Sequence, residues 1–181
     1  MKHLDTLQRH TIASPLGPLL LAASGQGLAG VWFDDQQHRP PDATVAAWRE
    51  SPQHPLLQQA AQQLGAYFQS AAETTQRFDL PLDLSAGTAF QQAVWRALLE
   101  IRAGGTRSYA QIAQAVGRPA AVRAVGAAIG RNPLTIVVPC HRVVGSGGAL
   151  TGYAGGLRRK TSLLARESAS IGLHDRSTQH H

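Results

Sequence analysis

Cysteine is almost absent from this chain: one residue, Cys140, occurs among 181. A single thiol cannot form an internal disulfide, and it cannot supply the several thiolates of a classical structural zinc site. We therefore expect no disulfide framework and no bound metal. The thiol is either inert core filling or a reactive group, and composition alone leaves both readings open.

Long apolar runs are also missing. The chain contains no stretch of 18 consecutive apolar residues, so we expect no membrane-spanning helix. Residues 1–5 lack the apolar core of a secretory signal peptide. Together these absences predict a cytoplasmic protein.

Negative charge is scarce, because 11 Asp and Glu residues stand against 17 Lys and Arg residues, giving a net charge of +6. A basic surplus of this size suits binding to nucleic acid or another anionic surface, although a merely soluble basic protein would show the same surplus. The apolar content of 43% is enough for a core, and the length suits one ordinary domain or two small ones.

The first half of the chain predicts a small α/β unit. Short apolar runs between Leu7 and Phe33, separated by turns rich in glycine and proline, indicate strands. Apolar residues at helical spacing follow Pro55, and the alternation over residues 77–84 indicates a further strand. No cluster of nucleophilic or metal-ligating residue types accompanies these elements, so we interpret residues 1–86 as a support domain.

Two capping signals in the second half predict consecutive helices. Thr88 is a candidate N-cap, and Ser108 with Gln111 forms a capping box. Gly117 and Pro119 then separate the second of these helices from a third. Two short helices joined by a turn that contains glycine are typical of a helix-turn-helix.

The recognition helix of that motif is predicted over residues 120–129, with Val122, Val125 and Ile129 toward the core. The opposite face carries small side chains and one arginine, whereas a solvent-facing helix surface normally carries several charges. Such a face suits close approach to a DNA groove or, alternatively, ordinary packing against the other half of the protein. The predicted DNA-binding residues are Arg118, Ala120, Ala121, Arg123, Ala124 and Ala127.

Cys140 lies between two apolar runs. The Ile-Val-Val sequence at residues 136–138 predicts a buried strand that Pro139 ends. His141 follows the thiol directly and can accept its proton, while Arg142 and the glycine-rich loop at residues 145–148 can shape a pocket wall. A thiol becomes a good nucleophile only when a neighbour favours the thiolate, so a nucleophile and core filler are equally open from these residues alone.

A last helix is predicted over residues 157–167, with Leu157, Thr161 and Leu164 on its apolar stripe. Glu167 lies beside that stripe, where its carboxylate could turn inward and orient an imidazole. A solvated glutamate at a helix end is the commoner case. The residues beyond 168 are polar and predict a loose tail.

Several motifs of this half, in this order, resemble the O6-alkylguanine-DNA alkyltransferases, also called methylated-DNA–protein-cysteine methyltransferases. They are Arg-Asn-Pro at 131–133, Pro-Cys-His-Arg-Val at 139–143 and Gly-Tyr-Ala-Gly-Gly-Leu at 152–157, and the resemblance runs from about residue 88 to residue 167. Members of that family move an alkyl group from O6 of guanine to a cysteine in one irreversible step. The resemblance implies repair of alkylated DNA with no cofactor or metal.

The resemblance implies a role for each matching catalytic residue. Cys140 is the alkyl acceptor, His141 the base that acts through a water molecule, and Glu167 the carboxylate that orients His141. Asn132 resembles the hinge asparagine that ties the recognition helix to the active-site strand. Tyr109 resembles the tyrosine that binds the guanine, assists rotation of the nucleotide and protonates the departing base.

The predicted pocket and DNA contacts rest on the same resemblance. Tyr153 resembles the tyrosine that borders the alkyl pocket, which Gly155 completes. Backbone groups at Val143 and Ala154 are expected to read the guanine edge. The family binds DNA through the minor groove and flips the base out, and Arg123 is the residue expected to fill the resulting gap.

Three features depart from some relatives. Ala154 stands where some relatives have serine, so we expect no side-chain hydrogen bond to O6 from this position. Ile129 and Gly130 end the recognition helix differently, which bears on pocket size. The chain has none of the N-terminal cysteines that hold zinc in some relatives.

The sequence therefore predicts an α/β (α+β) protein: a small N-terminal α/β domain with short antiparallel strands (1–86), a mostly helical C-terminal domain with a winged-type helix-turn-helix (87–168), and a flexible tail (169–181). We expect a cytoplasmic, nucleoid-associated monomer that binds double-stranded DNA, with cooperative binding left open. The rival hypotheses are a non-reacting alkylguanine sensor or a helix-turn-helix regulator, which the adjacent thiol and imidazole disfavour, and an ordinary cysteine hydrolase or transferase.

Overall fold

The computed structural model describes residues 6–69 and 77–177, with side chains described as far as residue 168. The signal-peptide prediction for residues 1–5 and the end of the predicted tail, residues 178–181, lie outside the described residues. Among the described residues, no helix combines the length and apolarity that a bilayer crossing requires.

The N-terminal half is a four-stranded sheet in the order β3 (Leu28–Phe33), β2 (Leu19–Ala23), β1 (Gln8–Ile12) and β4 (Arg49–Glu50), antiparallel except for the parallel pair β1 and β4. Strands β2 and β3 are apolar at almost every position, and both of their faces are buried. Helix α2 covers one face, and Trp32 with Trp48 packs on the other. The elements are β1 Gln8–Ile12, β2 Leu19–Ala23, β3 Leu28–Phe33, α1 Asp42–Ala47, β4 Arg49–Glu50 and α2 Pro55–Gln69.

The strand predicted over residues 77–84 is wrong. Leu82 alone forms an isolated parallel bridge with Leu28, which donates its N–H to Pro81 O at 2.8 Å and accepts from Asp83 N at 2.8 Å. Pro81 has no N–H with which a ladder could continue, so the apolar alternation packs on the core as an extended segment.

The C-terminal half is mostly helical, and the predicted α/β fold class with a helix-turn-helix is confirmed. Thr88 and Ser108 begin their helices with complete capping boxes, in which Gln91 and Gln111 are the third helical residues. A short parallel pair, β5 with β6, ties the start of the helix-turn-helix to the segment after the cysteine. The elements are α3 Ala89–Leu99, β5 Arg107–Ser108, α4 Tyr109–Ala115, α5 Val122–Gly130, a 3₁₀ turn Cys140–Arg142, β6 Val143–Val144, a 3₁₀ turn Ser146–Gly148 and α6 Leu157–Ser177.

The recognition helix α5 begins at Val122, so the predicted start at residue 120 is wrong. Ala121 is its N-cap and donates its N–H to Arg118 O at 2.9 Å, which leaves Pro119 in the preceding turn. The prediction that Val122 faces the core is also wrong, since its side chain is 38% exposed at the edge of a cavity. The core face of α5 consists of Val125, Ala128 and Ile129.

Helix α6 buries a different stripe from the predicted one. Leu157 is 49% exposed and Thr161 is exposed, whereas Lys160, Leu163 and Glu167 are fully buried. Because α6 continues to Ser177, the predicted end near Glu167 and the tail boundary at residue 169 do not coincide with a helix end. No proline interrupts residues 168–177, so nothing in the backbone forces an earlier stop.

The N-terminal sheet directly contacts the segment that precedes the cysteine. Val31, in the edge strand β3, donates its N–H to Pro133 O at 2.8 Å and accepts from Thr135 N at 3.1 Å, forming a bridge with Leu134. One apolar cluster includes residues of both halves. The sheet therefore supports residues 133–135, shortly before the cysteine, through backbone hydrogen bonds.

Candidate active site

The segment before Cys140 is a closed turn, so the strand predicted at residues 136–138 is wrong. The Asn132 side chain spans the turn, because its Nδ2 donates to Val138 O at 2.9 Å and its Oδ1 accepts from Leu134 N at 3.0 Å. Ile136 has a φ of 71°, an unfavourable value for a β-branched residue. The apolar side chains of this segment pack as predicted, but Asn132 imposes the turn.

Cys140 begins a single 3₁₀ turn and is 5% exposed, on the wall of a cavity of about 550 Å³. Burial raises the pKa of the thiol, while hydrogen bonding to Asn132 and Thr135 and the positive charge of Lys160 oppose that rise. The thiol is therefore protonated at rest, and its reactivity depends on a base that removes the proton.

His141 is completely buried, and its Nε2 lies 2.8 Å from Oε2 and 3.1 Å from Oε1 of Glu167. Burial lowers the pKa of the imidazole, with Arg142 and Lys160 adding to that effect and Glu167 opposing it. The ring is therefore neutral at neutral pH, which is the form that can accept a proton.

Glu167 is held as a carboxylate. Arg142 donates through Nε to Oε1 at 2.8 Å and through Nη2 to Oε2 at 3.0 Å, and Tyr67 OH donates to Oε2 at 2.9 Å. Burial raises the pKa of Glu167, but the bonds and charges of His141 and Arg142 outweigh it and bring the pKa to about 2.

The charge on Glu167 determines the tautomer of His141. A carboxylate only accepts hydrogen bonds, so Nε2 of the neutral ring carries the proton and Nδ1 is the acceptor. Nδ1 is buried and has no hydrogen-bond partner among the described residues. His141 therefore presents an unoccupied basic nitrogen on the ring side opposite Glu167.

Two tyrosines line the cavity, and each is tied to a threonine. Tyr109, at the start of α4, accepts at its OH from Thr151 Oγ1 at 3.1 Å. Tyr153 OH and Thr135 Oγ1 lie 2.7 Å apart. A Cβ at Gly155 would lie 2.7 Å from Cε1 of Tyr153, so glycine is required behind that ring.

The predicted pocket residues divide into two groups. Tyr153 and Ala154 line the cavity, whereas Gly155 is buried behind Tyr153, and Val143 is fully buried outside the lining. The N–H of Val143 donates to Cys140 O, and its carbonyl accepts from Lys160 Nζ at 2.6 Å. Reading of the guanine edge by Val143 stays a prediction.

Comparison with known families covers both halves. The family model described as 6-O-methylguanine DNA methyltransferase, ribonuclease-like domain, matches residues 7–84. The model described as 6-O-methylguanine DNA methyltransferase, DNA binding domain, matches residues 89–169. The chain belongs to the methylated-DNA–protein-cysteine methyltransferase family.

Relatives with that name match along almost the whole chain. The methylated-DNA–protein-cysteine methyltransferase of Mycolicibacterium paratuberculosis is 48% identical over 173 residues, covering 93% of this chain and 99% of the relative. The one of Methanosarcina barkeri is 46% identical over 160 residues, covering 88% and 96%. The crystal structure of Mycobacterium tuberculosis OGT in complex with DNA matches with a TM-score of 0.78 and 47% identity over 91% of this chain and 94% of that one.

In this member of the methyltransferase family, the predicted DNA-binding residues lie on the outer face of α5 and the turn before it. Ala121 is half-buried, and the others are exposed: Arg118, Ala120, Arg123, Ala124 and Ala127. Val122, Gly126, Ile129 and Gly130 of the same helix line the cavity. Helix α5 therefore carries the predicted DNA-binding face on its outer side and lines the cavity that contains Cys140 with an adjacent side.

Sequence reasoning missed two residues of the site in this family member, Lys160 and Tyr67, and it gave Arg142 only a part in the pocket wall. Lys160 is buried and donates through Nζ to Val143 O at 2.6 Å and Thr151 O at 3.0 Å, which joins both sides of the glycine-rich loop. Arg142 pairs with Glu167, and Tyr67 reaches the same carboxylate from α2. The spacing of Lys160, Leu163 and Glu167 along one helical stripe was the available signal for the first.

We find no candidate metal-binding site in the part of the chain that the structure describes. No group of three or more His, Cys, Asp or Glu side chains there is arranged to hold an ion.

Proposed function

We propose that this chain repairs O6-alkylguanine in DNA by transferring the alkyl group irreversibly to Cys140. The observation that carries the proposal is the arrangement of three groups. The Cys140 thiol lines the cavity, and the neutral imidazole of His141 follows it in the chain. Nε2 of that imidazole is hydrogen-bonded to Glu167, which is ion-paired with Arg142. Family membership supports the same reaction.

The proposed reaction begins with proton removal. Nδ1 of His141 takes the Cys140 proton by way of a water molecule, and Glu167 stabilises the imidazolium that forms. The sulfur then attacks the alkyl carbon, a carbon–sulfur bond forms, and the bond to guanine O6 breaks with its electron pair left on guanine. Tyr109 protonates the departing base, and the proton that His141 took from Cys140 returns to the Tyr109 phenolate through water. The products are neutral guanine and the Cys140 thioether, with His141 and Tyr109 restored.

The product explains the limit of one turnover. A thioether has no easily displaced group, because a thiolate leaves an unactivated alkyl carbon too slowly for a neighbouring side chain to remove the alkyl group from Cys140. Each molecule therefore acts once. In the proposed pocket, Tyr153 and the backbone around Ala154 border the alkyl group, while Ile129 and Gly130 limit the space at the end of the recognition helix.

DNA binding in the proposal uses the outer face of α5 in the minor groove. The thiol is reachable only through the cavity, so the damaged nucleotide must leave the duplex, at a cost of a few kcal/mol. The small side chains of Ala124 and Ala127 allow close approach, Arg118 contacts phosphate, and Arg123 enters the stack in place of the flipped base.

Replacing Arg123 with alanine is expected to slow repair of O6-methylguanine in duplex DNA about tenfold, equivalent to losing roughly 1.4 kcal/mol of the compensation for flipping. Reaction with free O6-benzylguanine is expected to stay at the wild-type rate, because no base is flipped. Single-turnover rates on both substrates measure the difference.

Arg49→Ala is the matched control for that prediction, since it removes one exposed positive charge from the N-terminal sheet. It should leave both rates near wild type. Equal slowing of both reactions by Arg123→Ala would remove Arg123 from the flipping step.

Intact-mass spectrometry tests the proposed function itself. The protein is mixed with an oligonucleotide duplex that contains one O6-methylguanine, and the expected result is one methyl group added per protein molecule, located at Cys140 by peptide mapping. Unmodified duplex should add nothing. Binding without any mass change would instead support a non-reacting sensor.

The proposal extends to the protein's organisation and surroundings. We propose a division at residue 87 into a support domain and a DNA-binding domain, with residues 169–181, which α6 includes as far as Ser177, as a C-terminal tail. The protein works as a monomer without a cofactor, in the cytoplasm and on the nucleoid. Its net charge of +6 makes DNA binding weaken with rising salt.

A further inference from the structure

Tyr67 reaches the proton relay from the opposite half of the chain. It lies on α2, is 2% exposed, and donates its hydroxyl to Glu167 Oε2 at 2.9 Å across a sequence separation of 100 residues. Its ring packs edge-on against Phe68, with 5.1 Å between centroids, and beside Phe78 at 5.8 Å. Tyr67 thus packs against two aromatic rings in addition to reaching the carboxylate.

Oε2 of Glu167 is a shared acceptor. It accepts from His141 Nε2 at 2.8 Å, from Arg142 Nη2 at 3.0 Å and from Tyr67. Each donor withdraws negative charge from the oxygen, so a donor added by Tyr67 weakens the pull that the carboxylate exerts on the imidazole proton. Burial and the charge of Glu167 raise the pKa of Tyr67, so the phenol remains a donor at every pH at which the protein works.

We propose that Tyr67 is a positioning residue of the relay, whose hydroxyl shares Glu167 Oε2 with His141 and thereby keeps the imidazole neutral and correctly oriented. This inference rests on the proposed function, because it assigns Tyr67 a part in that same proton transfer. It also gives the N-terminal half a chemical contribution in addition to its support of the active-site segment.

Removal of the Tyr67 hydroxyl should change the pKa of His141 in one direction only. With one donor fewer, the carboxylate becomes more basic, attracts the Nε2 proton more strongly and raises the pKa of His141. On acidification, His141 in the variant therefore becomes protonated at a higher pH than His141 in the wild-type protein. The charged and titratable groups that interact with this pair are Arg142 on the 3₁₀ turn, Lys160 on α6, Tyr153 on the cavity wall, and Tyr67 with the neighbouring Arg166.

The test is the pH dependence of the single-turnover rate with saturating O6-methylguanine duplex. In Tyr67→Phe, the acid limb of the profile is expected to move up by about 0.5 to 1 pH unit. Replacing Tyr67 alone with 3-fluorotyrosine, whose phenol is a stronger donor, should move the limb in the opposite direction. This second variant retains the hydroxyl and its bond, so it covers the case in which Tyr67→Phe fails to fold.

Phe78→Leu is the matched control, because it removes a ring contact of Tyr67 and leaves the hydroxyl in place. It should lower the melting temperature without moving the acid limb. If the acid limb of the pH–rate profile coincided with that of wild type in both Tyr67 variants, the inference would be overturned, whatever the maximal rate of each variant.

A separate readout keeps this result distinct from failure of the proposed function. The ¹⁵N NMR shifts of the His141 ring report the bond between Nε2 and Glu167 without any alkyl transfer. A change in the Nε2 shift in Tyr67→Phe, with none in Phe78→Leu, supports the positioning role even if the wild-type protein accepts no alkyl group. Unchanged ring shifts would contradict it.

Discussion

Replacing Cys140 with serine is expected to abolish alkyl acceptance completely. Serine preserves the size of the side chain, but a hydroxyl is a weak nucleophile at its free pKa, and the imidazole of His141 is not basic enough to ionise it. The recognition face lies on α5, outside the 3₁₀ turn, so DNA affinity should remain within about twofold of wild type. Intact mass and gel-shift titration measure the two quantities.

Cys140→Ala is the companion variant, since it removes the hydrogen-bonding group as well as the nucleophile. Both variants should bind a duplex that contains O6-methylguanine with normal affinity and leave the lesion unrepaired. A large loss of DNA affinity in both would mean that the thiol maintains the shape of the binding surface. Residual methyl transfer in either would locate the acceptor elsewhere.

Four contacts among the described residues join the N-terminal half to the site, and none is visible as a sequence motif. Val31 bridges Leu134, and the Gln37 N–H donates to Ala154 O at 3.0 Å. Arg159 of α6 stacks 4.1 Å from the Phe33 ring centroid and donates to Leu16 O at 2.9 Å. The fourth contact is Tyr67 on the relay carboxylate.

Local signals predicted the helices well. Thr88 and Ser108 are correctly predicted N-caps because a capping box depends only on residues three apart, whose side chains bond reciprocally to the nearest backbone N–H groups. The position of Glu167 near His141 was also predicted, although only the resemblance favoured the buried reading over a solvated one.

Predictions failed where hydrogen bonds of a side chain override the local preference. The β-branched run at residues 136–138 favours a strand, yet two hydrogen bonds from Asn132 close it into a turn. Lys160 would normally be exposed, but its ammonium finds two carbonyl acceptors in the glycine-rich loop, and the buried stripe of α6 rotates to include it. Pattern reasoning cannot identify such partners, because they are set by the tertiary fold.

Glu167→Gln is expected to reduce both the reaction rate and the stability. A neutral amide stabilises the imidazolium poorly, so the single-turnover rate should fall by about 100-fold or more. The Arg142 guanidinium would remain buried without its counter-charge, which is expected to lower the free energy of unfolding by about 3 to 5 kcal/mol at neutral pH. Chemical denaturation and single-turnover kinetics measure the two effects.

The pH dependence of the wild-type protein provides a second test of the same carboxylate. Its folded pKa of about 2 lies below the ordinary value of 4.5, so the stability it contributes is fully present above about pH 4.5 and is lost as the pH falls toward 2.

Glu100→Gln is the control for Glu167→Gln, because it makes the same chemical change in an exposed pair with Arg77 at 3.6 Å. That variant should match wild type in rate and stability. If Glu167→Gln behaved like Glu100→Gln, the carboxylate would have no part in the relay, and His141 would need another group to hold its tautomer.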